Sequence, residues 1–213
     1  MSTRPPRLHV LAGVNGAGKS SIGGAALRIF GGEYYNPDEA ARALIAANPH
    51  LSQVEANGAA WQQGRRLLER AIAERLDYAF ETTLGANTIP RLLAEAASKG
   101  FEVRIWYAGL ASPELHLARV RSRVRRGGHD ISEQDIRRRY EHSRLNLIHL
   151  MPKLTALRVY DNSVEADPAA GKRPAPLLVL YMEKGKILNR EDLARSPAWA
   201  KPIVAAALKL GLR

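Results

Sequence analysis

Residues 8–21 read LHVLAGVNGAGKSS and decide the fold of this chain. An apolar run typical of a buried strand comes first, and residues 13–20 then match the pattern G-x-x-x-x-G-K-[ST]. Glycines let neighbouring backbone N–H groups turn toward one point, where the start of the following helix adds partial positive charge. The stretch therefore predicts a phosphate-binding loop between a strand and a helix.

Each residue type in this loop suits the binding of a nucleoside triphosphate. Lys19 is expected to reach the β- and γ-phosphates, and the Ser20 hydroxyl to coordinate Mg²⁺. ATP and Mg²⁺ are therefore the expected cofactors, and Lys19 is also a candidate catalytic residue. The predicted ATP-binding residues are Gly13, Asn15, Gly16, Ala17, Gly18, Lys19, Ser20 and Ser21.

The composition is that of an ordinary globular protein. The 213 residues are 46% hydrophobic and 25% charged, which suits one domain with a core and is short for two. Cysteine is absent, which excludes disulfides, thiolate metal sites and a cysteine nucleophile. The N-terminal MSTRPPRLHV is polar, and the longest apolar block, PLLVLYM, is too short to span a bilayer. We therefore expect a cytoplasmic protein without a membrane partner.

The positive charge is concentrated in one segment. The chain has a net charge of +11, and residues 119–144 hold nine arginines against four acids, a net charge of +5. An anion-binding segment explains this concentration as well as a DNA-binding face does. Tyr140 is the one aromatic residue among these arginines, which argues against a platform for stacking single-stranded bases. Nucleic acid is therefore not the expected partner.

Strand-like runs alternate with segments of helical period. The runs LHVLA (8–12), DYAFE (77–81), EVRIWYAG (102–109) and LRVYD (157–161) are rich in apolar, β-branched and aromatic residues. Asn36-Pro37 and Ser112-Pro113 are typical helix starts. A further helix over about 57–76 is expected to place Trp61, Leu68, Ile72 and Leu76 on one core-facing stripe.

This alternation predicts an α/β fold of the P-loop NTPase/kinase-like class, a parallel sheet flanked by helices. Near the C-terminus, LLVLYMEKGKILNR predicts a β-hairpin with Gly185 in its turn, followed by a helix over about 198–210. We expect one domain over residues 1–213, with a motif-bearing core over 8–163 and a C-terminal extension over 177–213.

Two carboxylates near the ends of predicted strands are candidates for chemistry, since Asp38 follows the strand-like YYN (34–36) and Glu81 ends DYAFE. In α/β sheets the reactive groups gather beyond the carboxyl ends of the strands, so Asp38 and Glu81 should face the same crevice as Lys19. A structural role stays open for both. An aspartate in the first turn of a helix gains about 0.3–1 kcal/mol from the helix dipole, and a carboxylate at a strand end can simply be solvated.

A set of motifs resembles the zeta-toxin family of P-loop phosphotransferases. The motifs are AGVNGAGKS, NPDEAA, FETTL, WYAGLASPELHLARVRSRVRRGGHDIS, IRRRYEHSRLNL and VYDNS. They run from about residue 8 to 163, and their order is more specific than any one of them. The resemblance implies a fold related to small-molecule kinases, with ATP as donor. Characterised toxic members phosphorylate a sugar hydroxyl of UDP-N-acetylglucosamine.

The resemblance also implies roles for individual residues. Lys19 would hold the phosphates, Ser20 the metal, and Asp38 would act as general base toward the acceptor hydroxyl. Glu81 would bind the acceptor or, through water, Mg²⁺. The predicted substrate-binding residues are Asn36, Asp38, Glu81, Thr82 and Thr83.

The helix that starts at Pro113 is expected to have one arginine-rich face and one apolar face. Arg119, Arg123 and Arg126 recur at helical spacing, while Leu117, Val120 and Val124 form an opposing core face. Arginines that stabilise a transferring phosphoryl group are worth large rate factors, so one or two of this stripe, or Arg139, should clamp it. The spacing around RRGGHD departs from that of the toxins; we predict Arg123 and Arg126 as catalytic. His129 is interpreted as a loop or capping residue.

The sequence thus predicts an ATP-dependent phosphotransferase of the zeta-toxin type. It would move the γ-phosphate of ATP to a hydroxyl of a small molecule, a nucleotide sugar such as UDP-N-acetylglucosamine or a related metabolite. An antitoxin protein is a candidate partner. The alternatives are an ATPase or nucleotide switch without a small-molecule acceptor, a kinase for another acceptor, and a basic nucleic-acid-binding protein.

Overall fold

A computed structural model describes residues 4–19, 22–23, 33–164 and 176–211, and elements are numbered within these ranges. The strands are β1 Arg7–Ala12, β2 Glu33–Tyr35, β3 Tyr78–Thr82, β4 Glu102–Gly109, β5 Ala156–Asp161, β6 Leu177–Glu183 and β7 Lys186–Ile187. The α-helices are α1 Pro37–Ala47, α2 Gln53–Glu74, α3 Thr88–Ser98, α4 Pro113–Val124, α5 Glu133–Leu150 and α6 Lys201–Leu210.

The strands form one sheet in the order β2-β3-β1-β4-β5-β6-β7. Strands β1 to β5 pair in parallel, and β6 and β7 add antiparallel to the β5 edge. The turn of the predicted hairpin holds Lys184 and Gly185 at φ 48° and 76°, both in the left-handed region that tight two-residue turns require. The predicted fold class is confirmed. Because β1 to β5 are parallel, their carboxyl ends lie at the same edge of the sheet.

The helix starts follow the predicted capping chemistry. The Asn36 side chain accepts hydrogen bonds from the first turn of α1, and Ser112 does the same for α4, with proline next to each cap. The last helix, expected from about 198, begins at Lys201 after a 3-10 turn, Ala198–Ala200.

Helix α2 departs from the expected single core stripe. It begins at Gln53 because Ser52 caps it in a capping box. Leu68 and Ile72 are buried as predicted, but Trp61 and Leu76 are each 43% exposed, so the prediction is wrong at both ends of the stripe. Leu76 lies beyond the end of the helix, and the α2 residues in the main hydrophobic core, Leu68, Ala71 and Ile72, all lie in its C-terminal half, away from Trp61.

Two small apolar clusters beside the main core position the loop and the helices. Val14 of the phosphate-binding loop packs with Leu117, Val120 and Ile136, which anchors it to α4 and α5. A second cluster, Ala41, Ala56 and Ala60, joins α1 to α2 through small side chains. Loop and helices are therefore held by buried contacts rather than by surface charges. In the part of the chain that the structure describes, no helix has the length and apolar character needed to cross a bilayer.

Candidate active site

The phosphate-binding loop follows β1 and depends on its glycines. Gly13, Gly16 and Gly18 have φ values of 140°, 80° and 75°, which L side chains rarely adopt. A Cβ at Gly13 would lie 2.3 Å from the carbonyl oxygen of Ala108, so the loop and β4 approach too closely for any side chain. The glycine pattern thus reflects backbone geometry and close packing together.

Side chains from other elements brace this loop. The carbonyl oxygen of Asn15 lies 2.8 Å from His116 Nδ1, and its side-chain Oδ1 accepts a hydrogen bond of 2.8 Å from Arg139. Asn162, at the end of β5, donates to the carbonyl of Ala17 at 2.9 Å. Helices α4 and α5 and strand β5 therefore hold the loop in place before any ligand binds.

The brace from His116 is neutral at pH 7. Its side chain is buried, and this burial lowers the pKa of His116 to about 4, with nearby Lys19 and Arg119 adding to the effect and the hydrogen bond to Asn15 opposing it. A carbonyl oxygen can only accept, so Nδ1 carries the proton and donates it to the loop. The Nδ1–H tautomer is thus set by the phosphate-binding loop.

This buried histidine should make stability depend on pH. Its folded pKa is lower than its ordinary value of 6.5, so the unfolded chain takes up a proton that the folded chain excludes. We expect the free energy of unfolding to fall as the pH drops from 6.5 to about 4. His116→Asn keeps an N–H donor but cannot take up this proton. Between pH 7 and pH 4.5 its free energy of unfolding should therefore fall by about 2 kcal/mol less than that of wild type. Urea unfolding at pH 7 and 4.5 measures it; equal pH dependence in both proteins would contradict it.

A cavity of about 330 Å³ opens at the carboxyl edge of the sheet. It is bordered by the loop, the start of α1, the N-terminal half of α2, the residues after β3, and α5. Its polar lining residues include Asn15, Lys19, Asn36, Asp38, Asn57, Arg65, Glu81, Thr82, Thr83, Thr88, His129 and Arg139. Cations and carboxylates therefore border the same space.

Lys19 lies at the loop side of this cavity. Its Nζ donates to the carbonyl of Gly13 at 3.1 Å, so the ammonium is folded back along the loop. Ser20 and Ser21, predicted to bind the metal and ATP, lie outside the described residues, as does most of the helix expected after the loop.

Asp38 lies in the first turn of α1 and on the cavity wall. Its Oδ2 accepts a hydrogen bond of 3.2 Å from Arg123, and its Oδ1 is 3.8 Å from His129 Nε2. The His129 side chain is 9% exposed. Burial lowers the pKa of His129; the carboxylate of Asp38 opposes this, and neighbouring arginines add to it. The structure thus places His129, interpreted from sequence as a loop or capping residue, in the cavity lining.

Glu81 and Thr82 at the end of β3, and Thr83 directly after it, border the same space. Oε1 of Glu81 accepts hydrogen bonds from the Tyr34 hydroxyl and, at 3.2 Å, from Asn36 Nδ2. The hydroxyl oxygens of Thr82 and Thr83 accept from backbone N–H groups two residues ahead, at 3.1 and 3.3 Å. These side chains therefore line the cavity and also shape the turn after the strand.

The arginines of α4 and α5 separate in the structure. Arg123 reaches Asp38, Arg139 lines the cavity, and Arg119 donates to the carbonyl of Asn162 at 2.8 Å. Arg126 is exposed beyond the end of α4 and hydrogen-bonds Ser122 in the last turn of that helix. The structure brings Arg123 and Arg139 to the site and leaves Arg126 outside the cavity lining.

Sequence reasoning missed two features of this site. His116 gives no motif signal, since its partner is a carbonyl 101 residues away along the chain. Trp61 gave a misleading signal, because its spacing to Leu68 and Ile72 fits a core stripe while its ring borders the cavity.

A braced glycine loop after β1, whose lysine borders one cavity with two carboxylates at the carboxyl ends of parallel strands, defines a P-loop nucleotide-binding protein with a kinase-type fold. The chain belongs to the AAA domain family, whose model matches residues 8–143.

Similarity to known proteins extends beyond the family model. An uncharacterized protein of Haemophilus influenzae is 32% identical over 132 residues, which span 60% of this chain and 88% of that protein. The crystal structure of AvrRxo1-ORF1:-ORF2 with ATP has a TM-score of 0.67 at 16% identity. The match covers 92% of this chain but 65% of that one, so this chain spans less than two thirds of it.

A structure of the PezAT chromosomal toxin-antitoxin system of Streptococcus pneumoniae has a TM-score of 0.59 at 16% identity, and covers 99% of this chain and 87% of that one. These two solved structures share the fold, which agrees with the fold that the resemblance to zeta toxins implies.

Proposed function

We propose that this protein transfers the γ-phosphate of ATP to a hydroxyl group of a small molecule. The observation that carries the proposal is one cavity bordered both by Lys19 of the phosphate-binding loop and by the carboxylates of Asp38 and Glu81. A pure nucleotide switch has no need of carboxylates positioned to receive a proton in such a cavity. A phosphotransferase needs both sides at once.

The donor side fits ATP by its own geometry. Three glycines at positive φ shape the loop, and three side chains fix its backbone from outside. Lys19 can exchange its internal hydrogen bond to Gly13 for phosphate oxygens. Oxygen donors of the kind that Mg²⁺ prefers, Glu81 and Thr82, border the cavity, and Ser20 is the proposed direct ligand. A bound Mg²⁺ would neutralise charge on the β- and γ-phosphate oxygens.

On the acceptor side, Asp38 is the proposed general base. As the acceptor oxygen forms its bond to the γ-phosphorus, the bond to the leaving ADP oxygen breaks, and the acceptor's proton passes to Asp38. Arg123, which hydrogen-bonds Asp38, can move to the transferring phosphoryl group and so free the carboxylate. Arg139 adds a second positive charge on the cavity wall. Asn36, Glu81, Thr82 and Thr83 are proposed to bind the acceptor.

The finer parts of the proposal rest on the resemblance. The acceptor would be a nucleotide sugar such as UDP-N-acetylglucosamine or a related metabolite, and an antitoxin protein would be a partner. The fold shared with a toxin-antitoxin system supports the second point. We also propose one kinase domain over the chain, acting in the cytoplasm where ATP is plentiful.

Transfer of label from γ-labelled ATP tests this function. Incubated with a pool of small metabolites and Mg²⁺, the protein should place label on an organic molecule, identified by mass spectrometry, at a rate that depends on the pool. Release of label as inorganic phosphate alone, at the same rate with and without the pool, would indicate an ATPase and overturn the proposal. Addition of UDP-N-acetylglucosamine as the sole acceptor tests whether this nucleotide sugar is the molecule that receives the phosphate.

A further inference from the structure

One cavity wall has no role in the chemistry above. It is the part of α2 from Asn57 to Arg65, where Asn57, Gly58, Trp61 and Arg65 line the cavity. Trp61 lies three or four residues from each of the other three, so that all four share one helix face. The buried Ala56 and Ala60, which pack against Ala41 of α1, are different residues of the same turns, and the buried Leu68 lies farther along the helix. This face therefore serves the cavity rather than the core.

Trp61 is a large aromatic side chain that the fold leaves 43% exposed on this wall. The guanidinium carbon of Arg65 lies 5.8 Å from the centroid of its ring, a distance that favours a cation–π contact and restrains the indole. Arg65 Nε has no hydrogen-bond partner among the described residues, and the nearest carboxylate oxygen, of Glu69, is 3.8 Å away. Trp61 and Arg65 thus border the same space, although the Nε atom of Arg65 is itself buried.

Gly58 and Gly64 of α2 differ in what a side chain at each position would contact. A Cβ at Gly64 would lie 2.7 Å from the ring of Tyr35, so packing explains that glycine. A Cβ at Gly58 would have no atom of the described residues within 4 Å. Glycine inside a helix costs about 0.5–1 kcal/mol relative to alanine. Packing within the described residues does not explain why residue 58 is glycine. Its position on the cavity wall beside Trp61 does explain it, because a side chain there would occupy space in the cavity.

We propose that Trp61 and Gly58 form a shelf for a flat ring of the phosphate acceptor, with Arg65 binding a negatively charged group next to that ring. The inference rests on the proposed function in that it assigns this part of the cavity to the acceptor. The ring is a nucleobase or the apolar face of a sugar, since either stacks on an indole. The acceptor class is therefore a ring-bearing anion.

Substitutions at Gly58 separate a binding role from a structural one. Gly58→Ala should raise the melting temperature by about 1–4 °C because alanine favours the helix. Gly58→Leu should raise the KM for the acceptor by roughly tenfold or more, with the KM for ATP unchanged, because its side chain fills the shelf. Ala59→Leu, at the next and exposed position of the same helix, is the matched control and should leave both KM values within about twofold.

Binding without catalysis provides an independent readout. Uridine 5′-monophosphate and glucose 1-phosphate are the two probes, and inorganic phosphate is the ring-free control. One or both ring-bearing probes should quench tryptophan fluorescence in wild type and not in Trp61→Phe, and Trp61→Ala should weaken the binding roughly tenfold or more. Quenching by the first probe alone identifies a nucleobase, and quenching by the second alone a sugar.

Three results would overturn the shelf. The first is phosphate transfer by wild type, Gly58→Leu and Trp61→Ala with acceptor KM values that agree within twofold. The second is equal quenching in wild type and Trp61→Phe, and the third is no quenching by either probe at millimolar concentration. If ring-bearing probes bind at Trp61 but no label is ever transferred from ATP, the proposed function fails while the shelf stands.

Discussion

Lys19→Ala should remove most of the phosphotransfer activity and most of the affinity for ATP. Loss of one charged donor that stabilises a developing charge reduces kcat by about 10²–10³-fold. The same side chain binds the phosphates in the ground state, so the Kd for ATP should also rise by roughly tenfold or more. Nucleotide titration and initial rates with γ-labelled ATP measure the two effects.

Lys99→Ala is the matched control for this prediction. Lys99 forms an exposed ion pair with Glu95 on α3, away from the cavity lining, so its loss removes the same positive charge without touching the site. ATP binding and transfer should both stay within about twofold. A Lys19→Ala protein that binds ATP as wild type does would contradict the assignment of the loop.

Asp38→Asn should lower kcat by about 10²–10⁴-fold while the Kd for ATP stays within about twofold. The amide keeps the size of the side chain and its place in the first turn of α1, but it cannot take a proton. The carboxylate lies on the cavity wall with Arg123 at 3.2 Å, where it can receive the acceptor proton once the arginine moves. Initial rates at saturating ATP measure the loss.

Glu39→Gln separates this role from the electrostatics of the helix start. Glu39 is the next residue, exposed, in the same first turn, and does not line the cavity. Both substitutions remove a favourable interaction with the helix dipole, about 0.3–1 kcal/mol each. The two variants should therefore lose a similar helix-dipole contribution to stability but differ in kcat. Equal activity in the two variants would assign Asp38 to the helix cap alone.

The sequence predicted the fold well because its strongest signals are local. The glycine loop, the Asn36-Pro37 cap and the apolar runs each determine backbone geometry within a few residues, and the structure has strands and helix starts at these positions. Parallel order then follows from the alternation of strands and helices.

The details of the site were harder to predict because they depend on contacts between distant segments. The spacing of Arg123 and Arg126 predicted one helix face, yet only Arg123 contacts Asp38 on the cavity wall. Helix α4 ends at Val124, and Arg126 beyond it turns back to Ser122. Trp61 fits the period of a core stripe, and periodicity cannot distinguish a core from a cavity wall.

Parallel label-transfer assays on wild type, Glu39→Gln and Asp38→Asn test the central claim most directly. Each protein receives γ-labelled ATP, Mg²⁺ and the same metabolite pool, and label on organic molecules is separated from label in inorganic phosphate. We predict labelled organic product from wild type and Glu39→Gln, and about 100-fold less or lower still from Asp38→Asn. Release of inorganic phosphate at equal rates by all three proteins, with no labelled organic product, would contradict the account.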